Sequence, residues 1–266
     1  AFYANPFELL DDYGFVNDRN GEFNSFAQVD ALREASTNEA GRVYRTSRLK
    51  VGNRMSFDEY VKACVEFAAS ETSTSDGIND KYVYVDEARG KTSISSEKWK
   101  TCIASSKAAY PISNSSDLAC VASTSNVGNI SNSGESVMIG NTGRLSCISS
   151  AGLDTIIANS GDGCFVSSSG DGTVIGNLGS STSIASSGVD TRVNSDGEDC
   201  VICCAGDNSC VKARKGSWIT LSEWEYDKEK GRNVPVCVKT EYVDGDRIKE
   251  DTYYTLKDGE FCEADV

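Results

Sequence analysis

The chain has 266 residues, 26 basic and 40 acidic side chains, no histidine, three prolines, 24 glycines and 11 cysteines, for a formal net charge of −14. That charge repels a nucleic-acid backbone or an anionic membrane rather than steering it inward, so neither is expected as a partner. No apolar run approaches the roughly 20 residues of a membrane-spanning helix, so a soluble protein is expected. The odd cysteine count, scattered over a long chain, points to mostly reduced thiols. The expected place is the cytoplasm or a virion assembled there, with secretion left open because Ala1 is compatible with a processed or truncated start.

In chain order, Asn5-Pro6 places proline at the first position of a short helix running to Tyr13. Phe23 to Glu34 reads as helix or strand, and Arg42 to Val51 as a strand. Ser56 and Glu59 form a capping box, and Phe57, Tyr60, Val61, Cys64, Val65 and Ala68 recur at helical spacing, which predicts a helix over Phe57 to Ala69.

A nine-residue repeat follows. From Ser133 to Ala213 it reads SGESVMIGN, TGRLSCISS, AGLDTIIAN, SGDGCFVSS, SGDGTVIGN, LGSSTSIAS, SGVDTRVNS, DGEDCVICC, AGDNSCVKA, with Val or Ile always seventh. The register extends back through Val85, Ile94, Ile103, Ile112, Val121 and Ile130, giving fifteen units from Asn79 to Ala213 without an insertion. Position two is glycine in nine consecutive units, Gly134 to Gly206, as suits a turn with positive φ or a close backbone approach. Positions five (Thr92, Thr101, Thr155, Thr173, Thr182, Thr191) and seven share a strand face and are placed inward.

Position eight alternates. Ala104, Ala122, Gly140, Ala158 and Gly176 fall in every second unit, and Ser95, Ser113, Ser131, Ser149 and Ser167 between them, so the coil holds two units, eighteen residues. Seven and a half coils at the strand spacing of ~4.8 Å make a rod of roughly 36 Å. Asn141, Asn159 and Asn177 recur at eighteen and are expected to bond from coil to coil. After Ala213, Trp218 to Trp224 and Val234 to Tyr242 alternate as strands, with Asp244-Gly245 and Asp258-Gly259 as hairpin-type turns around Thr252 to Leu256. The expected fold is therefore mainly β: a parallel β-solenoid over 79–213, a small α/β N-terminal cap over 1–78 and an antiparallel β C-terminal cap over 214–266.

Several segments resemble a known family. ARKGSWITLSEW (Ala213 to Trp224) and DGDRIKEDTYYTLKDGEFCEAD near the end look like the C-terminal signature of an uncharacterised domain family of phages, prophages and gut bacteria. RLKVGNRMSFDEYVKACVEF (Arg48 to Phe67) resembles its segment before the repeats, and FYANPFELLDDY (Phe2 to Tyr13) its N-terminal motif, except that Tyr3-Ala4-Asn5 stands where the family has His-Ala-Cys. The resemblance implies a phage or prophage setting and supplies no activity or residue roles.

Candidate chemistry is sparse. Calcium-binding nonapeptides need an aspartate two positions before the apolar residue, and none occurs here, so Asp162, Asp171 and Asp207 read as solvated turn residues. Cys200, Cys203, Cys204 and Cys210 are close enough in sequence to suggest zinc but fall at positions five, eight, nine and six, which point apart. Cys102 and Cys120 are expected to stack on adjacent coils, near enough for a disulfide in an oxidising compartment. No cofactor, metal or catalytic residue is expected; without histidine there is no Ser-His or Cys-His pair. Ice binding by the threonine ladder conflicts with its inward placement.

The expected function is a structural or interaction module; the alternative is a carbohydrate-binding or carbohydrate-cleaving β-helix. Tyr84, Cys102, Cys120, Met138, Ile156 and Val174, at position six of alternate units, form an expected outward apolar stripe. The stripe is a contact surface for a second copy or a protein partner, or a seat for the N-terminal segment folding back.

Overall fold

Nine residues suffice for one four-residue strand and one five-residue turn, as in Met138–Asn141, the turn 142–146 and Cys147–Ser150. Two such units close a coil whose strands enter two different parallel sheets, and about seven turns stack into the expected solenoid. The computed structural model describes residues 2–3, 26–31, 36–37, 44–45, 49–72, 82–86, 94–96 and 101–264.

Stacking is in register at eighteen residues: Cys120 pairs with Met138 and Met138 with Ile156 in one sheet, and Ser131 with Ser149 in the other. Like therefore sits on like. Positions five, seven and nine point inward. Ile139, Ile148, Ile157, Val166 and Ile175 are at most 2% exposed, and Thr155, Thr173 and Thr191 are buried with them. Each buried Val or Ile side chain contributes about 1.5–3 kcal/mol.

Both ends of the array depart from the expected register. Val83, rather than Val85, pairs with Ile103, so the first coil holds two extra residues and Tyr84 stacks on Ala104. At the far end Ile202 pairs with Ile219, one residue short of eighteen, and the parallel stack continues past Ala213 into strand Trp218–Asp227. Termini of the stack tolerate such shifts because only one solenoid coil lies beside them.

The turns also differ from expectation in which residue carries positive φ. It is position four, including Leu118 (57°), Val127 (58°) and Leu145 (56°), a conformation unfavourable for bulky side chains. The strain is offset between coils: the Val127 N–H donates to the Arg144 carbonyl at 2.8 Å and the Leu145 N–H to that of Asp162 at 2.9 Å. The position-two glycines serve the other role, close approach. A Cβ on Gly143 would lie 1.7 Å from the Ser125 carbonyl oxygen one coil back, and one on Gly152 would lie 1.8 Å from that of Gly134.

Before the solenoid, strands Phe2–Tyr3, Phe26–Ala31 and Leu49–Met55 form an antiparallel sheet. The ambiguous segment is thus a strand, its choice made by the partner beside it. The single strand expected over Arg42 to Val51 is divided: Tyr44–Arg45 pairs with Ser36–Thr37, and Leu49–Met55 runs on to the helix. Helix α1, Phe57–Glu71, begins at the expected capping box, with the Ser56 N–H donating to Glu59 Oε2 at 2.8 Å and the Glu59 N–H to Ser56 Oγ at 3.3 Å. The helix expected from Pro6 to Tyr13 lies outside the described residues.

Two hairpins close the other end. Trp218–Asp227 with Arg232–Tyr242 extends one sheet, and Tyr254–Lys257 with Glu260–Glu263 extends the other through Val211 and Tyr254. Asp258 (φ 52°) and Gly259 (φ 71°) make the expected two-residue turn. Asp244-Gly245 is no hairpin turn; it opens the loop joining the two hairpins. Asp244 Oδ1 accepts the N–H groups of Asp246, Arg247 and Ile248, which holds its carboxyl below the usual range and sets Ile248 into the core. Val243, Ile248, Tyr254 and Leu256 plug the end.

Two substitutions check this packing. Ile157→Asp buries an unpaired carboxylate and is expected to cost about 3–5 kcal/mol, seen as a large fall in melting temperature. Gly143→Ala, which drives a methyl group into a backbone carbonyl, is expected to cost about 1–3 kcal/mol. Gly128→Ala, whose Cβ would meet nothing nearer than 3.3 Å, serves as the mild control in the same melt.

Candidate functional site

Positions six and eight point outward from both sheets, and the two outer surfaces differ. On one, α1 packs its buried Phe57, Val61, Val65 and Ala68 against Tyr84, Ala104, Ala122 and Ala158. Small residues at position eight leave room for it: a Cβ on Gly140 would already stand 3.1 Å from Val61 Cγ2. Asp58, in the first turn of the helix, accepts a hydrogen bond from the Ser160 hydroxyl. The alternation of small residues and serine is therefore a helix seat on one side and a hydroxyl row on the other.

The expected stripe lies on the helix-bearing surface. Cys102, Cys120, Met138, Ile156 and Val174 stack in consecutive rungs and are half-buried; Tyr84 leaves the column for the buried one and Tyr82 faces Cys102 instead. Tyr60 and Cys64 of the helix approach the same column and share a hydrogen bond. Burial pushes the Cys64 thiol up to about 12 and the Tyr60 hydroxyl well above its ordinary value. Cys102, hydrogen-bonded to Cys120, is shifted down; all three cysteines are free thiols. A stripe that looks bare in the sequence is thus partly occupied by the chain's own helix.

The four clustered cysteines do not converge. Cys200 and Cys204 are buried in the core, Cys203 faces out from the open sheet, and Cys210 faces out from the helix-bearing one beside Arg192. Among the described residues no group of three or more Cys, Asp or Glu is placed to hold a metal ion. The turn aspartates are more than solvated: Asp162 Oδ1 accepts the Ser180 N–H at 3.0 Å, Asp171 Oδ1 the Val189 N–H at 2.8 Å, and Asp207 Oδ2 the Asn233 amide at 2.6 Å. Coil stacking places a backbone donor one coil on beside Asp162 and Asp171, which position alone could not reveal.

The asparagine ladder forms as expected. Asn141 Nδ2 donates to Asn159 Oδ1 at 2.8 Å, Asn159 to Asn177 at 2.9 Å, and Asn177 to the Ser195 hydroxyl at 3.0 Å. A second ladder, missed because it is shorter, runs from Asn114 through Asn132 to Ser150 on the other side. The period-eighteen recurrence of Asn114 and Asn132 was its signal.

No described helix covers the second sheet. Its position-six column holds Pro111, Asn129, Cys147, Phe165, Ser183, Val201 and Trp218, with Tyr242 beside Trp218; its position-eight column holds Ser113, Ser131, Ser149, Ser167, Ala185, Cys203, Thr220 and, on the hairpin, Thr240. Neither column contains a charge, on a protein of net charge −14. Phe165 is 59% exposed, and Val201, Trp218 and Tyr242 are exposed with it. A groove of about 560 Å³ runs over four rungs, lined by nine serines, Asn114, Asn132 and Ala151. The Ser149 and Ser167 hydroxyls on its wall are 3.0 Å apart.

No family model, curated protein or solved structure matches the chain. Among the described residues no helix is long and apolar enough to cross a membrane.

The thiols give a pH test of the helix seat. Cys64 keeps its proton in the folded chain to about pH 12, against an ordinary value of 9.0. Above pH 9 the unfolded chain releases a proton that the folded one retains, so its contribution is full below that value and is lost as pH rises toward 12. Melting temperature should fall across that interval, less steeply in Cys64→Ala. A second check uses a thiol alkylating reagent at pH 8: the exposed Cys147 and Cys262 should react first, and the fully buried Cys204, whose thiol burial pushes well up, only on unfolding.

Proposed function

We propose that the chain is a structural or interaction module: a rigid β-solenoid rod that carries its own helical cover on one surface and presents the other for recognition. The observation that carries this reading is the asymmetry itself, a helix seated on one sheet and, on the other, two outward columns without a charge beside a serine-lined groove. Rigidity follows from in-register backbone pairing, close-packed inward ladders and a plugged C-terminal end. The resemblance of the Trp218 region and the α1 region to the phage and prophage domain family supports a phage- or prophage-associated setting, as part of a particle or of a cell that carries one.

The competing reading is a carbohydrate-binding or carbohydrate-cleaving β-helix; binding is compatible with a recognition face, and cleavage is what separates the two readings. Cleavage calls for two carboxyl groups flanking a bound sugar, and the two outward columns of the open sheet contain none. Prolonged incubation with polysaccharides and measurement of new reducing ends decides between them. No release is expected. Sustained release that disappears in a Glu or Asp variant would overturn the module reading.

A further inference from the structure

We propose that the open face binds a neutral polysaccharide laid along the rod axis, in the serine groove. The inference rests on the reading of that face as the recognition surface and names the ligand class.

Charge comes first. A protein of net charge −14 repels polyanions at long range, and no lysine or arginine stands in the two outward columns to hold one at short range. The same columns offer no carboxylate to a cationic partner. What remains is a ligand without charge.

Shape then favours a chain molecule. The seven solenoid strands of this sheet at ~4.8 Å, about four residues wide at ~3.3 Å each, make a strip roughly 30 by 13 Å, widened at one end by the 10- and 11-residue strands of the hairpin. A single polymer strand needs only the groove along that strip, and can follow its four rungs in line.

The groove's chemistry matches such a strand. A serine hydroxyl both donates and accepts, as sugar hydroxyls do, and Ser131, Ser149 and Ser167 present one to solvent on consecutive rungs. A regular polymer held at one rung offers its next hydroxyls to the next rung at high effective concentration, so individually weak contacts accumulate. Phe165 lies two positions before Ser167 on the same outward face and is 59% exposed. An exposed ring beside a hydroxyl row gives the apolar face of a sugar ring a platform.

Affinity electrophoresis of the full chain tests this, with mixed-linkage β-glucan, galactomannan or dextran in the gel and polygalacturonate as the anionic control. Retardation is expected in at least one neutral gel and not in polygalacturonate. It should weaken at least tenfold in Phe165→Ala and in the double variant Ser149→Lys, Ser167→Lys. All three positions are exposed, so each variant should still melt cooperatively, with the midpoint lowered slightly in the lysine pair by like-charge repulsion between stacked rungs, and cooperative melting separates lost binding from lost folding. Migration unretarded in every neutral gel, or retardation unchanged in both variants, overturns the proposal. So does inhibition of ice recrystallisation without retardation, which would assign the hydroxyl rows to ice, or a dimer in light scattering that the lysine variant dissociates, which would assign the face to a second copy. Those last two outcomes would leave the recognition-face reading standing, whereas reducing-end release would remove it.

Discussion

Everything in this protein depends on one constraint: each coil lies on the previous one at the spacing of hydrogen-bonded strands, in register at eighteen residues. At that separation there is no space for a Cβ where turns cross, hence the run of position-two glycines against carbonyl oxygens. Strands at hydrogen-bonding distance leave no room for a water molecule between their paired backbones, so buried polar groups find partners on the next coil. The ladder asparagines do so. Asn114, Asn132, Asn141, Asn159 and Asn177 each donate to the asparagine or serine one coil on, and Asn141, Asn159 and Asn177 also donate locally to the carbonyl two residues on, at Gly143, Gly161 and Gly179.

In-register stacking also turns a point property into a line. One isoleucine per coil becomes a ladder, one serine a hydroxyl row, one alanine a track for a helix. The track has a cost in backbone freedom at Gly140, and its return is the seat for Phe57 and Val61. The two surfaces of the rod thereby diverge although the repeat is the same on both. A half-buried tyrosine and three thiols belong to that seat: Tyr60 and Cys64 of α1 sit together with Cys102 and Cys120 where the helix crosses the rungs.

A stacked sheet leaves unpaired strand edges at its ends, and the two ends are treated differently. At the C-terminal end the solenoid passes its last parallel rung directly into an antiparallel hairpin, so both sheets gain a strand of opposite direction before they stop. The connecting loop is tied by Asp244 so that Ile248 enters the core, and Lys239, bonded to Glu260 at 2.6 Å, links the two hairpins across the top. Glu223 accepts the backbone N–H groups of Asp258 and Gly259, joining them a second time.

The amino-acid sequence by itself determined the period, the inward positions, the coil length, the capping box of α1 and the Asn141 ladder, because each is a local rule repeated many times. Ile at position seven and Asn at position nine need no knowledge of what lies beyond the next coil. What only the tertiary structure decided are the places where one part of the chain meets another once. Val83 replaces Val85 in the first rung because pairing with Ile103, not periodicity, sets the register there. Asp162 and Asp171 acquire backbone donors because the coil above supplies them. The apolar column of Cys102, Cys120 and Met138 is half-buried because a helix some thirty residues upstream of it in the chain lies across the same sheet. The small residues at position eight mark the surface with room for a helix; that α1 is the element seated there, with Val61 against Gly140, is settled only once the chain has folded.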